Sequence, residues 1–179
     1  MSESNTPSAP TGIAARRRPT GAPLPPPALV AAAGWVLPGL GYWLVRERGR
    51  ALVAGITILL LFVSGLLIGG VRVIDVPGYD GNGVDLRTKR GPIANRNIIQ
   101  NTFDKAWYIP QLMVGPVTLG MSYFSVQLAQ AHEARATAKL WDIGTLYTAV
   151  AGMLNLFILI DAAHRSAKAR EKDPRLNTM

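Results

Sequence analysis

The sequence lacks cysteine altogether and has only two histidines, His132 and His164, among its 179 residues. The absence of cysteine excludes disulfides, thiolate metal sites and cysteine nucleophiles. Neither histidine has a cluster of Asp, Glu or His at ligand spacing beside it, so we expect no metal site. Gly-rich phosphate loops, serine nucleophile elbows and HExxH motifs are also absent. The sequence therefore predicts a protein that is not an enzyme, with no catalytic residue and no cofactor.

Charged residues are scarce, at 17% of the chain, and they are unequal in sign, with 19 Lys and Arg against 11 Asp and Glu. A pI near 10.3 suits an anionic partner. The basic residues flank apolar blocks, however, which is typical of membrane topology rather than of nucleic-acid binding. We therefore expect the lipid bilayer as a partner and no nucleic acid.

Four apolar blocks, residues 28–45, 51–71, 109–131 and 143–162, hold much of the 49% apolar content. At 1.5 Å of rise per residue, the second block is about 31 Å long as a helix, close to the roughly 30 Å hydrocarbon core. Blocks two and four lack the polar face of a soluble core helix. Gln and Ser dilute the third block, so an interfacial position is its alternative. The predicted fold class is an all-α polytopic membrane helical bundle of about four transmembrane helices, with three as the alternative count.

Polar segments surround these blocks. Residues 1–27 are rich in proline, small residues and arginine, and we predict a disordered tail followed by a retained first helix. Residues 72–108 form a polar loop in which 98–108 fit an interfacial helix. The DGNGVD stretch at 80–85 fails the EF-hand pattern and indicates an ordinary turn. Residues 164–179 form a basic C-terminal tail.

Block one contains a predicted helix break. Pro38 removes a backbone donor and clashes with the preceding turn, and Gly39 and Gly41 give room for a bend. The following arginines should end the helix, and Gly49 should permit a tight reversal into block two. Residues 28–71 are therefore predicted to form a compact helical hairpin.

Small residues in blocks two and four indicate close helix packing. Gly65 and Gly69 make a GxxxG pattern, and Thr148 with Gly152 gives a second pair of small residues at that spacing. Asn155 lies near the middle of block four, where a carboxamide needs a partner. We interpret Asn155 as an interhelical hydrogen-bonding residue rather than part of a substrate path.

Block four ends in an acid, Asp161, with His164 and Arg165 at positions i+3 and i+4. Because Asp161 lies within one turn of the expected membrane boundary, we predict an interfacial carboxylate paired with Arg165. A proton-coupled role is the less favoured interpretation.

Two resemblances accompany these patterns. An apolar run, Pro-Gly-x-Gly, an aromatic pair, an Arg-x-Arg-Gly turn and a second apolar run, within roughly residues 30–70, resemble the TM2-domain type of two-helix hairpin. The Asp-Arg-Phe turn of many members is absent. Gly144-Thr145, 151–155 and Asp161-Ala162 are similar to the closing helix of an uncharacterised family of small bacterial membrane proteins, best represented in planctomycetes. This second resemblance implies a membrane protein and brings no chemistry.

The function that these features favour is a structural or accessory subunit of the cell membrane, which packs against a second copy of itself or another membrane protein. The alternative is a small transporter or channel component with a polar path around Asn155, Thr118 and Ser122. An intramembrane enzyme would have only Asp161 and His164 as candidate residues. A polar face shared by blocks three and four would favour transport, whereas packed glycine faces would favour the structural role.

The distribution of lysine and arginine predicts orientation. With four spans, the N-terminal tail, the 72–108 loop and the C-terminal tail share one side, which carries most of the basic residues near span ends. The positive-inside rule then places both termini and that loop in the cytoplasm. A block one that re-enters at Pro38 is the alternative, and with three further spans it would send the C-terminal tail outside.

Overall fold

The computed structural model describes residues 24–79, 105–131 and 137–172, and within them the regular structure is helical. The helices are α1 (Pro27–Val36), α2 (Leu40–Leu44), α3 (Arg48–Gly69), a 3-10 helix (Val71–Val73), α4 (Tyr108–Leu112), α5 (Pro116–Gln130) and α6 (Ala138–Glu171). The expected turn at 80–85 and most of the expected interfacial helix and N-terminal tail lie outside the described residues. The all-α class is confirmed.

Helices α3 and α6 form a long antiparallel pair. Gly65, near the end of α3, meets Gly144, near the start of α6. Ala51, at the start of α3, shares a core cluster with Ala162 in the second half of α6. Of the described helices, these two are long and apolar enough to cross a membrane. The expected number was four.

Block one divides into two short helices that fold back on each other. Leu37 is extended, with φ −140° and ψ 117°, because the residue before a proline is disfavoured in the α region. Gly39 then adopts φ +89°, a left-handed conformation that suits glycine. A Cβ on Gly41 would lie 3.0 Å from the carbonyl oxygen of Val30, so α2 runs back along α1. We call α1 and α2 the first hairpin.

The first hairpin enters and leaves at the same end of the molecule. Ser166 donates a hydrogen bond to the carbonyl of Pro25, which precedes α1. Arg165 donates to Glu47, which follows α2. We name this region, residues 24–26, 45–50 and 161–172, the terminal end.

The turn from α2 into α3 differs from the expected reversal at Gly49. Glu47 N–H bonds to Tyr42 O, and Arg46 N–H bonds to Trp43 O. This is the Schellman pattern of a helix C-terminus, and Arg46 occupies its left-handed position with φ 67°. Gly49 lies inside α3. The reversal therefore depends on Arg46.

Block three also folds back, as α4 and α5. Gly115 adopts φ +115° at the break, and Pro116 begins α5, where its missing N–H has no helical partner to lose. Tyr108 and Ser122 are joined by a hydrogen bond of 3.1 Å between their hydroxyls. Ser125 donates to the carbonyl of Ile74, 2.7 Å away, so α5 returns to the side from which α4 started. We call α4 and α5 the second hairpin.

The second hairpin starts from the end of the bundle opposite to the termini. We name this region, residues 70–79, 105–107 and 137–142, the loop end. The chain thus has the same order twice, a hairpin followed by a long helix. The two hairpins come from opposite ends and meet inside the bundle.

Candidate functional site

The tips of the two hairpins meet beside the middle of α6, and we call this place the hairpin junction. Trp35 Nε1 donates to the carbonyl of Leu112, 3.1 Å away. A Cβ on Gly115 would collide with the carbonyl oxygen of Trp35. The junction is therefore a backbone-to-backbone contact that only glycine permits.

Asn155 links both helix breaks to α6. Its Nδ2 donates to Met113 O at 2.8 Å and, at a longer 3.4 Å, to Gly34 O. Both carbonyls lie at helix ends, where no intrahelical donor is available to them. Asn155 is fully buried. The predicted interhelical role has a concrete form here, since one carboxamide satisfies carbonyls from two interrupted helices.

Gly152, one turn before Asn155, lies against α4. A Cβ at Gly152 would overlap the carbonyl oxygen of Pro110 and lie 3.4 Å from a methyl of Val114. The sequence paired Gly152 with Thr148, which contacts Gly65 of α3 in addition to Gln111 of α4. Gly152 therefore belongs to the hairpin junction.

The glycine face between α3 and α6 contains Gly65, Gly69 and Gly144. A Cβ on Gly65 would lie 2.8 Å from Gly144 O, and one on Gly144 would lie 2.9 Å from Gly69 Cα. Both distances are shorter than real Cβ contacts, so the two backbones pack at a separation that excludes side chains. The sequence analysis named Gly144 only in the family resemblance and not as a packing residue, although it precedes Thr148 at the same spacing as the other small pairs.

Gly39 and Gly41, singled out with Pro38, make similar contacts in the first hairpin. A Cβ on Gly39 would collide with Ala51 O in α3, and one on Gly41 would lie 3.3 Å from the Cβ of Ala162 in α6. Pro38 is buried at the tip, and its carbonyl oxygen lies 2.7 Å from the place of a Cβ on Gly55.

A polar cluster lies between the hairpin junction and the loop end. Gln111 Nε2 donates to Val73 O at 3.2 Å and to Thr148 Oγ1 at 2.8 Å. Thr145 and Thr118 donate to the carbonyls of Val73 and Gln111, at 3.4 and 2.7 Å. These hydroxyls and amides satisfy backbone carbonyls at the 3-10 helix and the α4 break. The sequence analysis took Gln111 only as one of the Gln and Ser residues that dilute the third block.

Two acceptors in this region stay unpaired. Gln111 Oε1 and Asn155 Oδ1 are buried, and no donor among the described residues reaches them. A buried acceptor without a hydrogen bond is unfavourable by about 1–3 kcal/mol. The interior therefore keeps some hydrogen-bonding capacity beyond what its own backbone uses.

At the terminal end, Asp161 Oδ2 accepts two hydrogen bonds of 2.6 Å, from Tyr42 Oη and from Arg165 Nε. Arg165 also reaches Glu47 Oε1 at 3.2 Å. The predicted Asp161–Arg165 pair is present, whereas His164 is exposed. Arg165 lies beyond the apolar stretch 143–162, and its hydrogen bond to Asp161 raises its pKa above the ordinary arginine value. Tyr42 and Glu47 were missed because they join the cluster only through the folded-back first hairpin.

At the loop end, Lys105 anchors the segment that leads into α4. Its ammonium donates to Asp75 Oδ1 at 2.6 Å and to the carbonyls of Val76 and Tyr79 at 3.0 and 2.7 Å. An adjoining cavity of about 70 Å³ reaches Gln111 and Thr145. Across the described ranges, no three His, Asp or Glu side chains gather in a way that would hold a metal ion.

The fold and the site define the class of this protein. It is an all-helical protein, and two of its described helices are long and apolar enough to span a membrane. Residues 29–174 match the family of unknown function DUF6677, and the chain belongs to that family. No curated protein and no solved structure matches the chain. The matched range contains both long helices, the second hairpin and all but the first two residues of the first hairpin. The expectation of an uncharacterised family is confirmed, and membership brings no activity with it.

Proposed function

We propose that this chain is a multi-pass integral protein of the cell membrane that acts as a structural or accessory subunit without enzymatic activity. The observation that carries the proposal is the distribution of side chains on α6, whose buried residues are mostly small or polar and whose large apolar residues are mostly exposed.

Helix α6 shows this distribution clearly. Ten of its residues are buried, and of these only Leu159 is a large apolar residue. The other buried residues are Gly144, Thr145, Thr148, Ala149, Ala151, Gly152, Asn155, Ala162 and Ser166. Phe157 and Ile160, by contrast, are 64% and 59% exposed. In water this arrangement would forgo about 25 cal/mol per Å² of apolar surface, whereas membrane helices pack through small residues and face lipid with large ones.

Helix α3 supports the same environment. Its exposed residues include Leu52, Val53, Ile56, Leu60, Val63 and Leu67. Its 22 residues are about 33 Å long at 1.5 Å per residue, which matches the roughly 30 Å hydrocarbon core. We infer that α3 and α6 cross the bilayer and that the two hairpins re-enter it from opposite faces.

The two helix breaks are compatible with this depth. Irregular backbone is tolerated in a membrane only where protein covers it and its polar groups are satisfied. Asn155 and Trp35 donate to the carbonyls of Met113 and Leu112 at the second break. Gly115 is buried.

Charge supports one orientation. Residues 46–50 and 161–172, at the terminal end, hold seven Lys and Arg against three Asp and Glu. The opposite side, residues 72–108 and 132–142, holds eight Lys and Arg, whereas the terminal side holds eleven when Arg16, Arg17, Arg18 and Arg175 of the tails are included. Under the positive-inside rule this bias supports cytoplasmic termini, which is the orientation that the sequence analysis also predicts. Two crossings and two re-entrant hairpins place the 72–108 loop on the opposite side, whereas a four-span chain would place it inside.

Membrane extraction tests the environment. We expect the full chain to stay in the membrane pellet through high salt and alkaline carbonate, and to be released by detergent. Recovery in the carbonate supernatant would contradict integral insertion.

The structural role is supported by how the interior is used. Polar side chains bond to backbone carbonyls, and the glycine faces are filled by neighbouring backbone. Exposed apolar residues on α3 and α5 remain for lipid, a second copy or another membrane protein. Cross-linking in native membranes, followed by purification of the full chain, should recover it in a defined complex. Recovery as an uncomplexed monomer would contradict the accessory role.

Transport is the second candidate, and it is favoured by the hairpin junction. Interrupted helices that meet near the midplane are a recurring feature of transporter binding sites. Asn155 keeps an unpaired Oδ1 there, and Thr118 and Ser122 continue the polar face. A cysteine at Ser122 discriminates the two roles. It should resist a water-soluble maleimide in a structural protein and react in one with a water-filled path.

A further inference from the structure

An open groove of about 420 Å³ lies on the outer surface near the terminal end, beside α2, α3 and α6. Its apolar wall is formed by Val53, Ala54 and Ile158. Gly49 and Arg50 line the same groove one turn nearer to the start of α3. We call it the Arg50 groove.

Gly49 keeps the groove open. A Cβ built on Gly49 meets no atom within 4 Å, and the residue has no positive φ. Packing and backbone conformation therefore do not require glycine here. Among the described residues of the groove, Gly49 is the position where a side chain would fill space without touching the fold.

Arg50 gives the groove its charge. Its side chain is 56% exposed, and its Nη1 lies 3.2 Å from Glu47 Oε2. That oxygen receives no hydrogen bond, so the pair is electrostatic and leaves most of the guanidinium's five N–H donors for another acceptor. Glu47 is also shared with Arg165, and the surrounding terminal end is strongly basic.

The apolar part of the groove lies further from the terminal end along α3 than the guanidinium of Arg50 does. Val53 and Ala54 follow Arg50 by three and four residues, which is about 5–6 Å of helix. Trp43 is exposed nearby, with the Arg48 guanidinium 5.4 Å from its ring centroid. An aromatic residue with cationic neighbours is typical of the headgroup level. The groove thus offers a cation at the depth of headgroups and an apolar wall at the depth of acyl chains.

We propose that the Arg50 groove binds one anionic phospholipid, with its phosphate on Arg50 and an acyl chain along Val53, Ala54 and Ile158. Arginine suits this ligand because its planar fork matches two phosphate oxygens. The inference rests on the proposed membrane insertion.

The test uses the purified full chain in nanodiscs of phosphatidylcholine, with and without phosphatidylglycerol, and measures the thermal unfolding midpoint. Phosphatidylglycerol should raise the Tm of the unaltered chain. Gly49→Leu should abolish that rise without lowering the Tm in phosphatidylcholine alone. Gly120→Leu is the matched control, since a Cβ there also meets no atom within 4 Å, and it should keep the full rise.

Arg50→Gln tests the charge of the groove independently of its shape. It should also abolish the rise, whereas Lys168→Gln, an exposed cation at the same end but outside the groove, should keep it. A rise that survives in both Gly49→Leu and Arg50→Gln, or the absence of any rise in the unaltered chain, would overturn the proposal. Either result leaves membrane insertion intact, whereas failure of the proposed function itself would appear as release of the chain by carbonate.

Discussion

Asn155 of α6 donates a hydrogen bond of 2.8 Å from its carboxamide to the carbonyl of Met113, the residue that caps the C-terminus of α4. This bond connects a continuous helix to an interrupted one at the place where the two hairpins meet. The stability of the hairpin junction should therefore depend on Asn155 more than on its exposed neighbours.

Asn155→Ala should destabilise the protein by about 0.6–2 kcal/mol, the range for interhelical hydrogen bonds in membranes. The loss arises because Met113 O and Gly34 O would remain buried without a donor. Met153→Ala, at a position 47% exposed, is the control and should change stability less. Thermal unfolding in detergent measures both variants, and an unchanged Tm for Asn155→Ala would contradict the assigned role.

Gly65→Ala should destabilise the α3–α6 pair by about 1–3 kcal/mol, as overpacking does in close-packed interiors. Its Cβ would lie 2.8 Å from Gly144 O and 2.7 Å from the methyl of Thr148, so the helices must move apart. Gly120→Ala faces open space and should be neutral or slightly stabilising. Equal Tm values for the two variants would disprove close backbone packing at Gly65.

Tyr42→Phe and Asp161→Asn should be coupled in a double-mutant cycle. Their 2.6 Å hydrogen bond joins the first hairpin to α6, and because Asp161 is 41% exposed we expect a screened coupling of about 0.5–1 kcal/mol. Tyr147→Phe, at a half-exposed site on α6, should be additive with Asp161→Asn. Additivity of Tyr42→Phe as well would show that the pair does not anchor the first hairpin.

Single cysteines test the orientation cleanly because the chain has none of its own. Lys139→Cys at the loop end should react with an impermeant maleimide added outside intact cells. Lys168→Cys at the terminal end should react only after the membrane is opened. Labelling of both positions from outside, or of neither, would contradict two crossings with re-entrant hairpins, and the reverse pattern would contradict cytoplasmic termini.

Sequence reasoning recovered the features that short-range chemistry determines. The apolar lengths of α3 and α6, the break at Pro38 and the i,i+4 pair of Asp161 with Arg165 can all be predicted from neighbouring residues. Hydropathy gives the length of an apolar segment but not the direction in which its chain runs. Block one was therefore long enough to be interpreted as a span, although its chain folds back at Leu37–Gly39.

The break in block three illustrates the same limit. Gly115-Pro116 is a turn signal in the sequence, but it lies inside an apolar run that can also be a bent span. Whether Gly115-Pro116 forms a turn or a bent span depends on contacts of Gly152 and Asn155 with α4 and its C-terminus. These two residues are distant in the chain and make those contacts only in the folded state. Gln111 is a second example, because the role of its amide is visible only in the fold, where it donates to the carbonyl of Val73 in the 3-10 helix.

The first hairpin obtains its support from α6, the last of the described helices along the chain. Tyr42 and Asp161 are 119 positions apart, and Arg170 reaches back to the carbonyl of Leu24 across 146 positions. At ordinary rates of translation, this interval is on the order of ten seconds. During that time the helix break near Pro38 lacks the packing of α6, and exposed backbone groups in lipid cost several kcal/mol each. On the proposed membrane insertion, both hairpins therefore wait for α6, and a ribosome that stops before α6 leaves them without their common support.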